Sequence, residues 1–246
     1  MLDGGSDQAQ GLREAAGAGL PALIACPLDA SHPAQWVAQL ALGLRLRGRR
    51  PIVLDASGGL VASSLGLRLQ GELLDLLQGE RQFDQVAQAT ADGVWAMRGE
   101  RGIEFFVASG LRTQRLLEAF AKLSHGFDDV LLAMPVDELA SMAPPGAHVP
   151  VVGVDGGYRG LVGAYGVVKR LAGRFGYRRF MCLAHGAASA QQALGDCARV
   201  ARVARQHVRA ELELVLAGVI PAPGCGDAAS LQRAAQGVLD CAAGAS

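Results

Sequence analysis

Ala22-Leu23-Ile24-Ala25-Cys26, a loop, Gln39-Leu40-Ala41-Leu42-Gly43-Leu44, then Gly48-Arg49-Arg50 and Pro51-Ile52-Val53-Leu54-Asp55-Ala56 carry the decisive pattern. A short apolar run is followed by helical periodicity over 34–47, a glycine turn and a second apolar run ending in a carboxylate. Unbroken apolar runs of this length, joined through a helix, describe parallel strands buried on both faces. The alternation continues, with strands expected over 22–26, 51–54, 103–107, 130–133, 149–154, 179–184 and 214–220. Helices are expected over 34–47, 111–124, 161–175 and 190–210. The fold class is therefore α/β, a mostly parallel central sheet flanked by helices on both faces. Asp55 ends the second strand, where the carboxyl edge of such a sheet forms a ligand crevice.

Three regions follow: a flexible N-terminal segment (1–19), an α/β domain (20–222) and a C-terminal helical tail (223–246). A chain of 246 residues, half of them hydrophobic, is long enough to bury one large core. The zero formal charge and the lack of a basic cluster interleaved with aromatics argue against nucleic acid as a partner. Five scattered cysteines without CxxC spacing fit reduced thiols, not a disulfide framework or a metal site. His32, His125, His148, His185 and His207 lack metal-ligand spacing, so no metal is expected. No nucleophile elbow surrounds Ser31, Ser57 or Ser109. No basic-then-apolar leader or membrane-length run is present, and a soluble, cytoplasmic protein is expected.

Further short motifs follow the opening stretch in a characteristic order. Gly71-Glu72-Leu73-Leu74-Asp75-Leu76-Leu77 with Gly79-Glu80 precedes Ala108-Ser109-Gly110 and Leu123-Ser124-His125. Then come Ala164-Tyr165 with Lys169, Phe175-Gly176-Tyr177-Arg178-Arg179-Phe180, and Gly218-Val219-Ile220-Pro221. From about residue 20 to 221, this order and spacing resemble the FlhG (FleN) branch of the MinD/ParA P-loop ATPases. That branch controls flagellar number and placement.

The resemblance implies a phosphate loop at Cys26-Pro27-Leu28-Asp29-Ala30-Ser31-His32-Pro33-Ala34, where the residues depart from the pattern. Such a loop uses glycine amides to wrap phosphates, a lysine to neutralise them and a Ser/Thr hydroxyl to hold Mg²⁺. Counted back from Gln39, Pro33 takes the lysine position and Ala34 the hydroxyl position, while Leu28 falls near the second, signature lysine. Asp29 is expected to oppose a triphosphate by an amount on the order of several kcal/mol. Of the family's paired aspartates, Asp55 remains and Ser57 replaces the other; Ser57 cannot orient water as a carboxylate does. Ala133 stands where the Walker B aspartate belongs, and His185 replaces the asparagine near the adenine edge. The expectation is a degenerate nucleotide site with no ATPase activity and no cofactor. The glycines between 153 and 163 are read as a strand-to-helix connection, with an unfamiliar nucleotide loop as the alternative.

The family also carries a DQA-x-x-LR segment that docks on the signal-recognition-type GTPase FlhF and stimulates it. Here it is Asp7-Gln8-Ala9-Gln10-Gly11-Leu12-Arg13. An aspartate suits a first helical turn, and Ala9, Leu12 and Ala16 share one face. The resemblance assigns partner binding to Asp7, Gln8, Ala9, Leu12 and Arg13, with Gln8 reaching the GTPase site. Other implied partners are flagellar C-ring or switch proteins, or a FleQ-type regulator. Leu231, Val238 and Leu239 form only a modest stripe, so weak or no membrane binding is expected. A monomer, or a nucleotide-independent dimer, follows, recruited to the cell pole by its partner. The alternatives are a noncanonical nucleotide-binding ATPase and a scaffold or antagonist of a flagellar transcriptional regulator.

Overall fold

β5 (Asp129–Pro135) is the spine of the larger sheet, with β1 (Ala22–Leu28) on one side and β2 (Pro51–Asp55) on the other. The computed structural model describes residues 20–29, 34–123, 126–208, 211–220 and 227–243. Asp129 to Met134 and all of β2 are buried, as strands covered on both faces must be. β4 (Trp95–Arg98) pairs parallel to β2, and the two-residue β3 (Gln88–Ala89) closes that edge antiparallel. β6 (Val151–Asp155), β7 (Arg179–His185) and β8 (Glu213–Ile220) form a second parallel ladder. The sheet is thus mostly parallel, but its ladders fall into groups of five and three. Among the described residues no ladder joins β1 to β6.

Helices cover both faces. On one lie α1 (Gln35–Leu46) and, at the end of the chain, Ala228–Ala243, which is α10. The short α2 (Leu60–Ser64) joins the α1 face through Val61, and on the other face lie α3 (Leu73–Leu77), α4 (Phe83–Val86), α5 (Glu100–Ala108), α6 (Thr113–Ala121), α7 (Val136–Met142), α8 (Tyr158–Phe175) and α9 (Ala190–Val208) around a larger core. In α1 the apolar positions Trp36, Val37, Leu40, Ala41 and Leu44 recur at helical spacing and are buried. The turn after α1 is tied to the start of β5: Arg49 Nε and Nη2 donate to the two Asp129 carboxylate oxygens at 2.5 and 2.7 Å. Burial pushes the Asp129 carboxyl up more strongly than Arg49 pulls it down.

Residues 103–107, expected as a strand, lie instead in α5. Their β-branched and aromatic content favours a strand, but Ile103 and Phe106 are buried while Phe105 and Val107 are exposed, a helical spacing. Glu72 secures the helix from outside: its carboxylate accepts from Leu74 N at 2.6 Å and Gly102 N at 3.3 Å, capping α3 and the first turn of α5 together. The strand role passes to Trp95–Arg98, which the sequence reading left unassigned.

The segment after residue 222, set apart as a tail, contributes α10 to the core. Val238 is fully buried and Leu231 and Leu239 pack against the α1 face, so the stripe weighed for membrane contact is occupied by the protein itself. No helix among the described residues is long and apolar enough to cross a membrane. Contact between α1 and α10 requires a glycine, because a Cβ on Gly43 would stand 2.4 Å from the Leu231 carbonyl oxygen. Gly43→Val is expected to cost about 1–3 kcal/mol by forcing the helices apart, read as a lower urea midpoint; an unchanged midpoint would contradict this packing.

Candidate functional site

The carboxyl ends of β1, β2 and β5 open into a cleft of about 510 Å³. Its walls come from Leu28 and Asp29 after β1, Ala56 to Gly58 and Leu60 after β2, Pro135 and Glu138 at α7, and Glu100, Arg101 and Glu104 of α5. Asp55 lies beneath it, fully buried. One Asp55 carboxylate oxygen accepts from the Ser57 amide at 3.0 Å and from the Ser57 hydroxyl; the other accepts from Ala62 N at 2.8 Å. The carboxylate therefore shapes the loop that leads into α2. Ala133 sits in register between Cys26 and Asp55, and its carbonyl accepts from Ala56 N at 2.8 Å.

The charges differ from those read in the sequence. Asp29 is ion-paired with Arg170 of α8, and Arg170 and Arg174 also reach Asp137 at 3.4 and 3.2 Å. Its negative charge is thereby compensated, which corrects the expectation that Asp29 supplies the repulsion. The excess acid comes from α5 and α7. Glu100 accepts from Gly58 N and from Arg98 Nη2, the latter at 3.3 Å. Burial, then the charges of Glu104, Asp137 and Glu100, push the Glu138 carboxyl up. These acids were missed because part of α5 was taken for a strand; as a helix, Glu100 and Glu104 at i and i+4 share one face.

The remaining expected residues are dispersed. Leu28 and Ser57 line the cleft, and Ala34 is buried at the start of α1, where its side chain makes no cap bond. His185 ends β7 in the smaller ladder, with Nδ1 3.7 Å from Asp155 Oδ1, and does not line the cleft. Pro33 and the segment Asp7, Gln8, Ala9, Leu12 and Arg13 lie outside the described residues. The glycines after residue 152 serve packing and turning: a Cβ on Gly153 would lie 2.5 Å from Trp36 Nε1, and Gly157 turns into α8 at φ +86°. Among the described residues no group of three or more His, Cys, Asp or Glu is arranged to hold a metal ion.

No protein-family model and no curated protein sequence matches the chain. Solved structures do. The MinD cell division protein of Aquifex aeolicus is 13% identical over 89% of this chain and 97% of its own, with a TM-score of 0.60. The Cyanothece McdA(D38A)–ATP complex is 16% identical over 91% and 96%, at 0.55. The pnob8 ParA is 11% identical over 89% and 98%, at 0.51. The fold is that of the MinD/ParA ATPases.

In a MinD/ParA fold the cleft lies where an open parallel sheet offers a ligand crevice. A phosphate loop there needs a lysine, and this chain has two. Lys122 caps the end of α6, and Lys169 of α8 lies 5.8 Å from the centre of the Tyr165 ring. Neither lines the cleft.

Two measurements test this account of the cleft. Asp55→Ala removes the acceptor for three donors and is expected to cost about 1–3 kcal/mol of folding stability; a purely ligand-directed Asp55 would leave the melting temperature unchanged. Because the Glu138 carboxyl is raised in the fold, its contribution is full below the ordinary value of 4.5 and is lost as pH climbs through the folded value. Glu138→Gln is therefore expected to melt higher than the parent at neutral pH, with the gap closing near about pH 4.

Proposed function

We propose that this protein is an FlhG-like pseudo-ATPase that regulates flagellar number or placement through protein contacts. The observation that carries the first half is that neither lysine of the chain lines the cleft while Glu100, Glu104 and Glu138 do. A triphosphate there would meet net negative charge with Arg101 as the cation on the wall. Pro33 and Ala34 in place of the lysine and hydroxyl, Ser57 in place of a carboxylate and Ala133 in place of the Walker B aspartate point the same way. ATP binding and hydrolysis are absent in this reading, and the scaffold presents surfaces.

The second half rests on sequence: Asp7-Gln8-Ala9-Gln10-Gly11-Leu12-Arg13 acts on an FlhF-type GTPase. Gln8 enters the partner's site and helps position the attacking water, since phosphoryl transfer is governed by positioning and charge stabilisation. The core then contacts flagellar switch proteins or a FleQ-type regulator in the cytoplasm or at the cell pole.

Calorimetry with Mg-ATP is expected to show no binding at micromolar nucleotide; saturable heat with turnover would establish the noncanonical ATPase instead. GTP turnover by the FlhF-type partner is expected to rise several-fold with the intact chain. Gln8→Ala, or removal of residues 1–19, should abolish that rise. Stimulation that survives both changes would move the activity to the core.

A further inference from the structure

Two cysteines meet in one layer of the core. Successive side chains of a strand point to opposite faces, and β7 divides accordingly: Phe180 and Cys182 join the core under α8 and α9, while Met181 and Leu183 join the α1 side. In α9 the buried positions Ala193, Asp196, Cys197, Val200, Ala201 and Ala204 recur at helical spacing, so Cys197 faces the sheet. α9 packs on β7, and Cys182 and Cys197 belong to the same buried cluster. The other cysteines among the described residues lie apart: Cys26 is buried in the α1 core, and Cys241 sits near the end of α10.

The two thiols act on each other. Contact with the Cys182 thiol holds Cys197 below the ordinary cysteine range, against the opposing effect of burial; the same contact, reinforced by burial, pushes Cys182 up. The pair is therefore unequal. Cys197 is the better source of thiolate, the form that reacts, and at 5% exposure it lies nearer the surface. Arg199 pairs with the neighbouring Asp196 at 3.0 Å and reduces the negative charge that would oppose a thiolate there. Cys182 is fully buried, between Val152 of β6 and Leu216 of β8.

We propose that Cys182 and Cys197 are a reversible dithiol site for hydroperoxides, which closes a disulfide that bolts α9 to β7. The oxidant is hydrogen peroxide or a small alkyl hydroperoxide; local opening of α9 need only admit a molecule little larger than water. The Cys197 thiolate attacks one oxygen of hydrogen peroxide and the O–O bond breaks, leaving sulfenic acid on Cys197 and hydroxide, which takes up a proton to become water. The Cys182 sulfur then attacks the Cys197 sulfur: the S–S bond forms, the S–O bond breaks, and the oxygen leaves as a second water with the Cys182 proton. Two thiols are oxidised to one disulfide and one peroxide is reduced to two waters. Because Cys182 already stands beside Cys197, this second step outruns further oxidation of the sulfenic acid. A thiol reductant reverses the bond by exchange. The site is independent of the flagellar reading.

Trypsin cuts after Arg179 and Arg199, so residues 180–199 leave as one peptide holding both cysteines. The folded, intact chain is treated with hydrogen peroxide, unfolded and alkylated. That peptide is expected to escape alkylation and to be lighter by two hydrogens, and reduction before alkylation should restore both sites. The oxidised chain should melt at least about 3 °C higher, since the bond restrains the unfolded chain. With Cys182→Ser the reaction should stop at a Cys197 sulfenic acid that dimedone traps; with Cys197→Ser, oxidation of Cys182 should be at least about tenfold slower. Cys182→Ala and Cys197→Ala repeat both arms, with circular dichroism to select the variants that fold. A peptide 180–199 that still takes up two alkyl groups after peroxide would overturn the proposal. So would a bond that forms only in denaturant, a bond from either cysteine to a second chain, or Cys197 oxidised beyond sulfenic acid while Cys182 stays reduced.

Discussion

The architecture depends on α1 spanning a sheet whose hydrogen bonds are interrupted. The helix follows β1 in the five-stranded ladder, yet its Trp36 indole lies against Gly153 of β6 in the three-stranded one. Its far side takes α10, which in turn covers β8. Side-chain packing, not a continuous ladder, joins the two groups of strands. The cost shows in the indole N–H, buried without an acceptor among the described residues; an unsatisfied group of this kind costs about 1–3 kcal/mol. A ring of that size burying roughly 200 Å² offsets it at about 25 cal/mol per Å².

The same arrangement divides the molecule chemically. The carboxyl edge of the larger ladder gathers acids from α5 and α7, with Asp29 anchored sideways to α8. The amino edge is divided around a cavity and carries less charge, with α10 as one wall and Arg179 and His148 among its lining residues. A MinD/ParA fold of neutral overall charge thus has two edges of different character, one of them acidic, so a net charge of zero says little about either surface.

Much of the ladder was legible in sequence because parallel strands buried on both faces are unbroken apolar runs: Ile52-Val53-Leu54 and Val130-Leu131-Leu132 have few other readings. Trp95–Arg98 was not, since an edge-proximal strand ending in arginine lacks such a run, and the neighbouring Ile103 to Val107 carries a stronger strand composition. Glu72 decides that contest through a bond to Gly102 thirty residues away, which no local window contains. At the cleft, the residue types at Leu28, Ser57 and Ala133 could be read directly. The charge balance could not, because Asp29 meets Arg170 only through the tertiary packing that sets α8 against β6 and α7.

Asp55 illustrates how a carboxylate beneath a cleft can mislead. Its two oxygens accept from Ser57 and Ala62, so selection for a folded loop alone would maintain an aspartate there, whatever the cleft binds. Scoring the cleft by its carboxylates alone would count it as chemistry. In this chain its hydrogen bonds hold the turn from Ser57 to Ala62 in place.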